Sequence, residues 1–176
     1  MAEIAREEAG DHQEVEALYD LCFAPGREAL SSYRLREGVA PQAELCLVAR
    51  GRAGEAAGAI RTWPVRVGGH AALLLGPVAV HPVRQGEGLG ALLIFEVLER
   101  ARAGRHPRMM LVGDAPYYGR FGFARLDGVI MPPPTNPERV LGIALEDGAW
   151  DGIRGEVSPE ADGGLKTASR IPSIGA

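Results

Sequence analysis

LGPVAVHPVRQGEGLGALLIF, residues 75–95, joins an apolar run carrying Pro77 to a polar glycine loop and then to a second apolar run. The first run has the length and composition of a strand. In the second, Gly90, Leu93, Ile94, Val97, Leu98 and Ala101 recur at helical spacing. A glycine-rich loop between a strand and a helix is suited to phosphate, because the helix start presents unpaired N–H groups and its positive dipole end.

Three phosphate loops compete for this stretch. The nucleoside-triphosphate loop needs a lysine after its last glycine, and none lies near. The dinucleotide fingerprint GxGxxG/A is satisfied by Gly86, Gly88 and Ala91, with Asp114 available as a ribose acid. However, HPVRQ separates the strand from the first glycine, where a dinucleotide site has a tight turn. Too little chain follows Asp114 for a second strand–helix half. The third reading is QxxGxG, given by Gln85, Gly88 and Gly90. Its glycines let the backbone close around a diphosphate with no nicotinamide to position, and coenzyme A carries such a diphosphate.

Working outward, Asp11 and Glu14 resemble a capping box. They open a helix with Val15, Leu18 and Cys22 on one face, ended by Pro25-Gly26. A second helix is expected over about 27–37, closed by Gly38. Strands are expected at 44–50, 56–67 and 70–80, forming a meander through turns at Gly51–Gly54 and Gly68-Gly69. After the loop helix, Gly104 and Pro107 precede a short buried strand, MMLVGD (109–114). APYYGRFGF (115–123) reads as a short helix running into a loop or strand. MPPPTNP (131–137) is irregular, and VLGIAL and GIRGEV suggest two further strands. This order predicts one α+β domain, residues 1–157, followed by a tail over 158–176.

Bulk composition narrows the function classes. The chain has 176 residues, 46% hydrophobic and 24% charged, with net charge −4. That fits one packed domain and gives no basic footprint for nucleic acid or an anionic membrane. Lys166 is the one lysine, which disfavours Schiff-base chemistry. Cys22 and Cys46 form no CxxC pair and read as reduced core residues. No His/Cys/Asp/Glu cluster has metal-ligand spacing, so no metal is expected. The acidic start lacks the apolar core of a signal peptide, and no stretch approaches a membrane span. A soluble cytoplasmic protein is the expectation.

LGPVAVHPVRQGEGLGALLIFEVLERA resembles the signature region of the GNAT superfamily of N-acetyltransferases, in particular its YhbS-like branch. YYGRFGF, about thirty residues later, resembles the second signature of those enzymes. The resemblance implies an α+β (three-layer α/β) fold: a mixed, mostly antiparallel sheet, splayed in the middle and flanked by helices. It also implies acetyl-CoA as cosubstrate, with pantetheine lying in the splay between strands 73–80 and 109–113. Pro77 supplies a physical reason for the splay, since a residue without N–H belongs at a bulge or an edge. The backbone of Val78, Ala79 and Val80 would then receive the pantetheine, and the Val80 N–H would polarise the acetyl carbonyl. Gln85, Gly86, Glu87, Gly88, Leu89, Gly90 and Ala91 would form the diphosphate cradle. Counting back from Gly122 assigns Tyr118 as general acid toward the leaving thiolate. Tyr117 is left as a packing or substrate-wall residue.

The general base stays open among His70, His81, Arg61 and Glu44. Arg84 and Arg120 are candidates for phosphate neutralisation, and Asp114 for capping the Tyr117–Tyr118 segment. The implied reaction is direct acetyl transfer to a small-molecule or peptide amine. The alternatives are a non-catalytic acyl-CoA-binding module and a dinucleotide-binding oxidoreductase fragment. A homodimer, with the C-terminal strands paired across it, also stays open.

Overall fold

The computed structural model describes residues 2–23 and 30–160. Pro25-Gly26, the start of the second expected helix and most of the expected tail lie outside these. Among the described residues, nine strands and four helices form a mixed sheet with helices on its faces. The strands are β1 Glu3–Arg6, β2 Leu47–Arg50, β3 Ala56–Val67, β4 His70–Val80, β5 Arg108–Val112, β6 Ala124–Arg125, β7 Val129–Ile130, β8 Val140–Ala144 and β9 Gly155–Pro159. The helices are α1 His12–Cys22, α2 Ser31–Arg34, α3 Leu89–Ala103 and α4 Ala115–Tyr118.

Strand order is β1-β2-β3-β4-β5-β8-β6, and β9 pairs with both β3 and β7. β2, β3 and β4 make the expected antiparallel meander. Parallel pairing is confined to β4–β5 and the short β7–β9 ladder. The doubly wound parallel sheet of a dinucleotide-binding fragment is therefore absent from the described residues, and that alternative falls.

Strand alternation sorts the core onto two faces. Leu47, Ala49 and Ile60 turn toward α3, where they meet Leu93, Ile94, Val97, Leu98 and Ala101. Val48, Ala59 and Ala79 turn the other way, toward Val15, Leu18 and Tyr19 of α1. Burying aliphatic side chains of this size stabilises by about 1.5–3 kcal/mol each. Gly58 allows the close approach of α3, because a Cβ there would stand 3.2 Å from Leu93 Cδ1.

Several local expectations are corrected. The capping box is one turn earlier, between Glu8 and Asp11, on a 3-10 turn ahead of α1. Asp11 accepts from the Glu8 N–H at 2.8 Å and pairs with Arg50, while Glu14 accepts from the Ala56 N–H. Among the described residues, the helix expected over 27–37 is a single turn, α2, followed by turns to Gly38. Glu44 and Leu45 lie on a 3-10 turn rather than in β2. β1 and β7, both short, were not anticipated, whereas β6 is the strand into which the 115–123 segment runs. Ser158 and Pro159 belong to β9 and pair with Arg66 and Val65. β8 lies between β5 and β6, and β9 pairs with β7 through Gly155 and Glu156 and with β3 through Val157–Pro159.

Candidate active site

β4 and β5 are paired only at Leu73–Met109 and Leu74–Met110. Beyond that point the two strands separate, which opens the sheet in its middle. The cause lies in the β3–β4 ladder. Ile60 pairs with Val78 and Thr62 with Leu75, so Gly76 and Pro77 together oppose Arg61 alone. This bulge sits where the proline reading placed it, and bulges bend the strand that carries the extra residue.

Register then sorts the backbone of the Val78–Val80 stretch. The His81 N–H donates to the Ala57 carbonyl at 2.8 Å, which makes Ala57–His81 a hydrogen-bonded pair. Alternation makes Ala59–Ala79 the next such pair. The polar backbone groups of Ala79 therefore serve β3, while those of Val78 and Val80 face the opening. The Val80 carbonyl already accepts from Cys22 Sγ and Gln85 Nε2, each at 3.3 Å. The Pro77 carbonyl accepts from the Tyr19 hydroxyl at 3.0 Å.

The opening is a cavity of about 320 Å³ walled by Gly76, Pro77 and Val78 on one side and by Leu111, Gly113 and Tyr118 on the other. Tyr118 lies on α4, its ring packed edge-on to Tyr117 and Phe123. Its ring also stands close to Gly113: a Cβ there would stand 2.4 Å from the Tyr118 ring. Only a glycine fits. Burial first, then the neighbouring Tyr117 and Asp114, push the Tyr118 phenol up to about 12. It is held as a protonated donor across the neutral range.

The glycine loop lies at the end of β4. Gly86 and Gly88 have φ of 89° and 81°, the left-handed region that glycine enters without penalty. Gly88 caps the 15-residue α3, so the N–H groups of Gly88, Leu89, Gly90 and Ala91 lack intrahelical partners. Leu89 is buried, and it offers the loop only its backbone. Gly90 stands where three parts meet, with Val80 Cγ2 3.6 Å and the Tyr117 hydroxyl 3.4 Å from the place of a Cβ. Tyr117 packs on Tyr118 and Phe121 and lines the cavity, with its hydroxyl set against the start of α3. Glu87 binds Arg84 at 2.8 Å, and Arg84 also reaches Glu55 at 3.2 Å. Arg84 is therefore already matched by carboxylates. Arg120 is stacked on Tyr117.

A Gly88→Ala variant tests the loop. Alanine is strained at this φ by about 1–2 kcal/mol. The loop would relax out of its cradle and binding would have to restore it. The expected outcome is a 5- to 30-fold loss of CoA affinity by calorimetry, with α3 content by circular dichroism unchanged.

The four candidates for a base are not brought together. His81 Nδ1 accepts from the Val83 N–H, His70 is exposed at a hairpin, and Glu44 binds Gln42 on the turn before β2. Arg61 is buried, bonded to Glu7 at 2.7 and 3.0 Å and to Glu16. Burial works against its charge, but the two carboxylates more than offset that and raise its pKa above the ordinary value. It cannot take a proton. Asp114 is the N-cap of α4 through its carbonyl, which accepts from the Tyr117 and Tyr118 N–H groups. Its carboxylate pairs instead with Arg139 at 3.4 Å.

Sequence reasoning missed Arg36, Trp63 and Gly113. Arg36 and Trp63 line a second hollow of about 270 Å³ that shares Tyr33, Arg36 and Pro77 with the first cavity. No motif marks either residue, whereas Gly113 falls inside the expected strand MMLVGD. Among the described residues, no cluster of His, Cys, Asp or Glu is arranged to hold a metal, and no helix is long and apolar enough to cross a membrane.

Known proteins match this arrangement. The sequence profile of the Acetyltransferase (GNAT) family matches residues 12–123, more than half of the chain. The structure is similar to the GNAT family N-acetyltransferase YhbS from Escherichia coli in complex with CoA. The two share 28% identity over 90% of this chain and 89% of that one, with a TM-score of 0.79. It is also similar to a GNAT family acetyltransferase from Brucella melitensis in complex with acetyl-CoA. There the identity is 29% over 92% of this chain and 97% of that one, with a TM-score of 0.71. A search of curated proteins finds no match. A splayed sheet, a bulge at the splay, a glycine loop capping α3 and a family profile spanning all of them lead to one conclusion: the chain belongs to the GNAT family of acetyltransferases.

Proposed function

We propose that the protein transfers the acetyl group of acetyl-CoA to a primary amine by direct attack, with Tyr118 as general acid. The observation that carries the reading is the placement of Tyr118, a protonated phenol on the cavity wall opposite the bulged strand. The CoA and acetyl-CoA bound to the two similar structures support the cosubstrate.

Each residue then has a task set by its chemistry. The N–H groups from Gly88 to Ala91 donate to the diphosphate, aided by the helix dipole, with Gln85, Gly86 and Glu87 shaping the approach. The outward backbone groups of Val78 pair with the pantetheine arm. Ala79 contributes by holding that stretch to β3. The Val80 N–H donates to the acetyl carbonyl oxygen, where it matters most as negative charge develops. As the new C–N bond forms and the C–S bond breaks, the Tyr118 hydroxyl gives its proton to the departing sulfur. Tyr118 regains a proton as the amine releases one through solvent.

The test follows release of free thiol from acetyl-CoA against a panel of amines, beside calorimetric titration with acetyl-CoA. Turnover above hydrolysis for at least one amine is expected. Binding without turnover for any amine would leave a non-catalytic acyl-CoA-binding module, and absence of binding would overturn the reading entirely.

A further inference from the structure

The hollow beside the acetyl cavity contains buried donors without acceptors. Arg36 is only 9% exposed, and its Nε and Nη1 have no hydrogen-bond partner among the described residues. The same is true of Trp63 Nε1. Both side chains line this hollow. The Arg36 guanidinium lies 4.3 Å over the Tyr33 ring and 5.6 Å from the Trp63 ring centre, so its faces are covered and its in-plane N–H groups are what remain. Its Nη2 comes within 3.6 Å of the place of a Cβ at Gly76, which puts the group beside the bulge where the two cavities meet.

Burial pulls this guanidinium down to about 10, opposed by the phenols of Tyr33 and Tyr19 and by a side-chain hydrogen bond with Tyr33. A buried cation with unmet donors costs several kcal/mol in an apolar setting. Natural structures leave few such atoms without a purpose. A planar anion with two acceptor oxygens would satisfy several of these donors at once. Glu16 and Glu37 line the same hollow. Glu16 is matched by Arg61, which lines the hollow too, so Glu37 is the carboxylate that disfavours a dianion and favours a ligand that also carries a positive group.

We infer that this hollow receives the carboxylate of the acceptor, so that the acceptor is a zwitterionic amine of the amino-acid class, held by Arg36 and Trp63 with its amine directed past Pro77. This rests on the acetyltransferase reading above and adds the acceptor's class to it. Arg36 is a binding residue here and takes no part in proton transfer.

Calorimetry on the CoA-loaded protein tests this, with the twenty standard amino acids, their decarboxylated amines, acetate and inorganic phosphate as probes. At least one amino acid should bind about 10-fold or more tightly than its decarboxylated amine. Arg36→Met should abolish that difference, and Arg36→Lys should restore part of it. Trp63→Phe should weaken the amino acid and leave the amine unchanged. Acetyl-CoA affinity should be the same in Trp63→Phe, since Trp63 lines the hollow and not the acetyl cavity. Arg36→Met should also raise the Tm of the free protein, since an apolar side chain replaces an unmet buried charge, whereas a structural role would lower it. If Arg36→Met does not fold, Arg36→Lys and Trp63→Phe still decide. No binding of any amino acid, equal binding of the decarboxylated amines, or phosphate binding more tightly than acetate would each overturn the assignment. Turnover of simple amines would then leave the acetyltransferase reading standing alone. Failure of acetyl-CoA itself to bind would strike that reading instead.

Discussion

Tyr118→Phe is expected to lower kcat by about 10²-fold or more while leaving acetyl-CoA affinity unchanged. The ring is fixed by Gly113, Tyr117 and Phe123, so the variant loses the hydroxyl and little else. A pH profile adds a sign. Burial raises the phenol to about 12, so its deprotonation limb in the wild type should lie above the ordinary tyrosine value near 10. That limb should vanish in the variant. Gly113→Ala is the companion measurement. It removes no functional group, yet its Cβ would overlap the Tyr118 ring at 2.4 Å. It should lower kcat by displacing the hydroxyl, with Phe added at 118 costing nothing further. Additive losses in the double variant would show that Gly113 acts elsewhere, and unchanged turnover in Tyr118→Phe would remove the proposed acid.

The loop and both flanking elements were legible because their signals are local. Glycines at 86 and 88 anticipate positive φ, and the apolar spacing from Leu93 to Ala101 anticipates a buried helix face. Pro77 anticipated the bulge, since a residue without N–H disrupts a ladder wherever it falls. What was not legible is set by partners distant in sequence. Arg36 gains its meaning from Trp63 and from Gly76, which only the fold brings near it. The box formed between Glu8 and Asp11 rather than Asp11 and Glu14 because the Asp11 carboxylate takes the Glu8 N–H and Arg50, while the Glu14 carboxylate takes the Ala56 N–H. Arg61 drops out as a base for a similar reason. Composition and strand position brought Arg61 near the pocket, but two distant carboxylates decide its charge.

Arg61 is also the residue whose loss should most reduce stability. Its side chain is 9% exposed and that of Glu7 10%, and they meet in two hydrogen bonds, at 2.7 and 3.0 Å. Glu16, on α1, closes the other side of the guanidinium. Replacing a buried ion pair whole can be nearly neutral, but removing one partner leaves the other buried and unmatched, at a cost of about 3–5 kcal/mol. Arg61→Leu should therefore lose about that much in urea denaturation. Adding Glu7→Gln should recover part of it, because the stranded charge is then gone. The same variant should reach the site. Arg61 lies opposite Gly76 and Pro77 in the bulge, and its guanidinium covers Tyr19, whose hydroxyl holds the Pro77 carbonyl. Loosening that contact should raise the acceptor KM more than the acetyl-CoA KM, since Arg61 lines the hollow that we assign to the acceptor and not the acetyl cavity. Equal rises in both would instead mean that the bulge as a whole had shifted, and that the two cavities share a single mechanical support in Arg61.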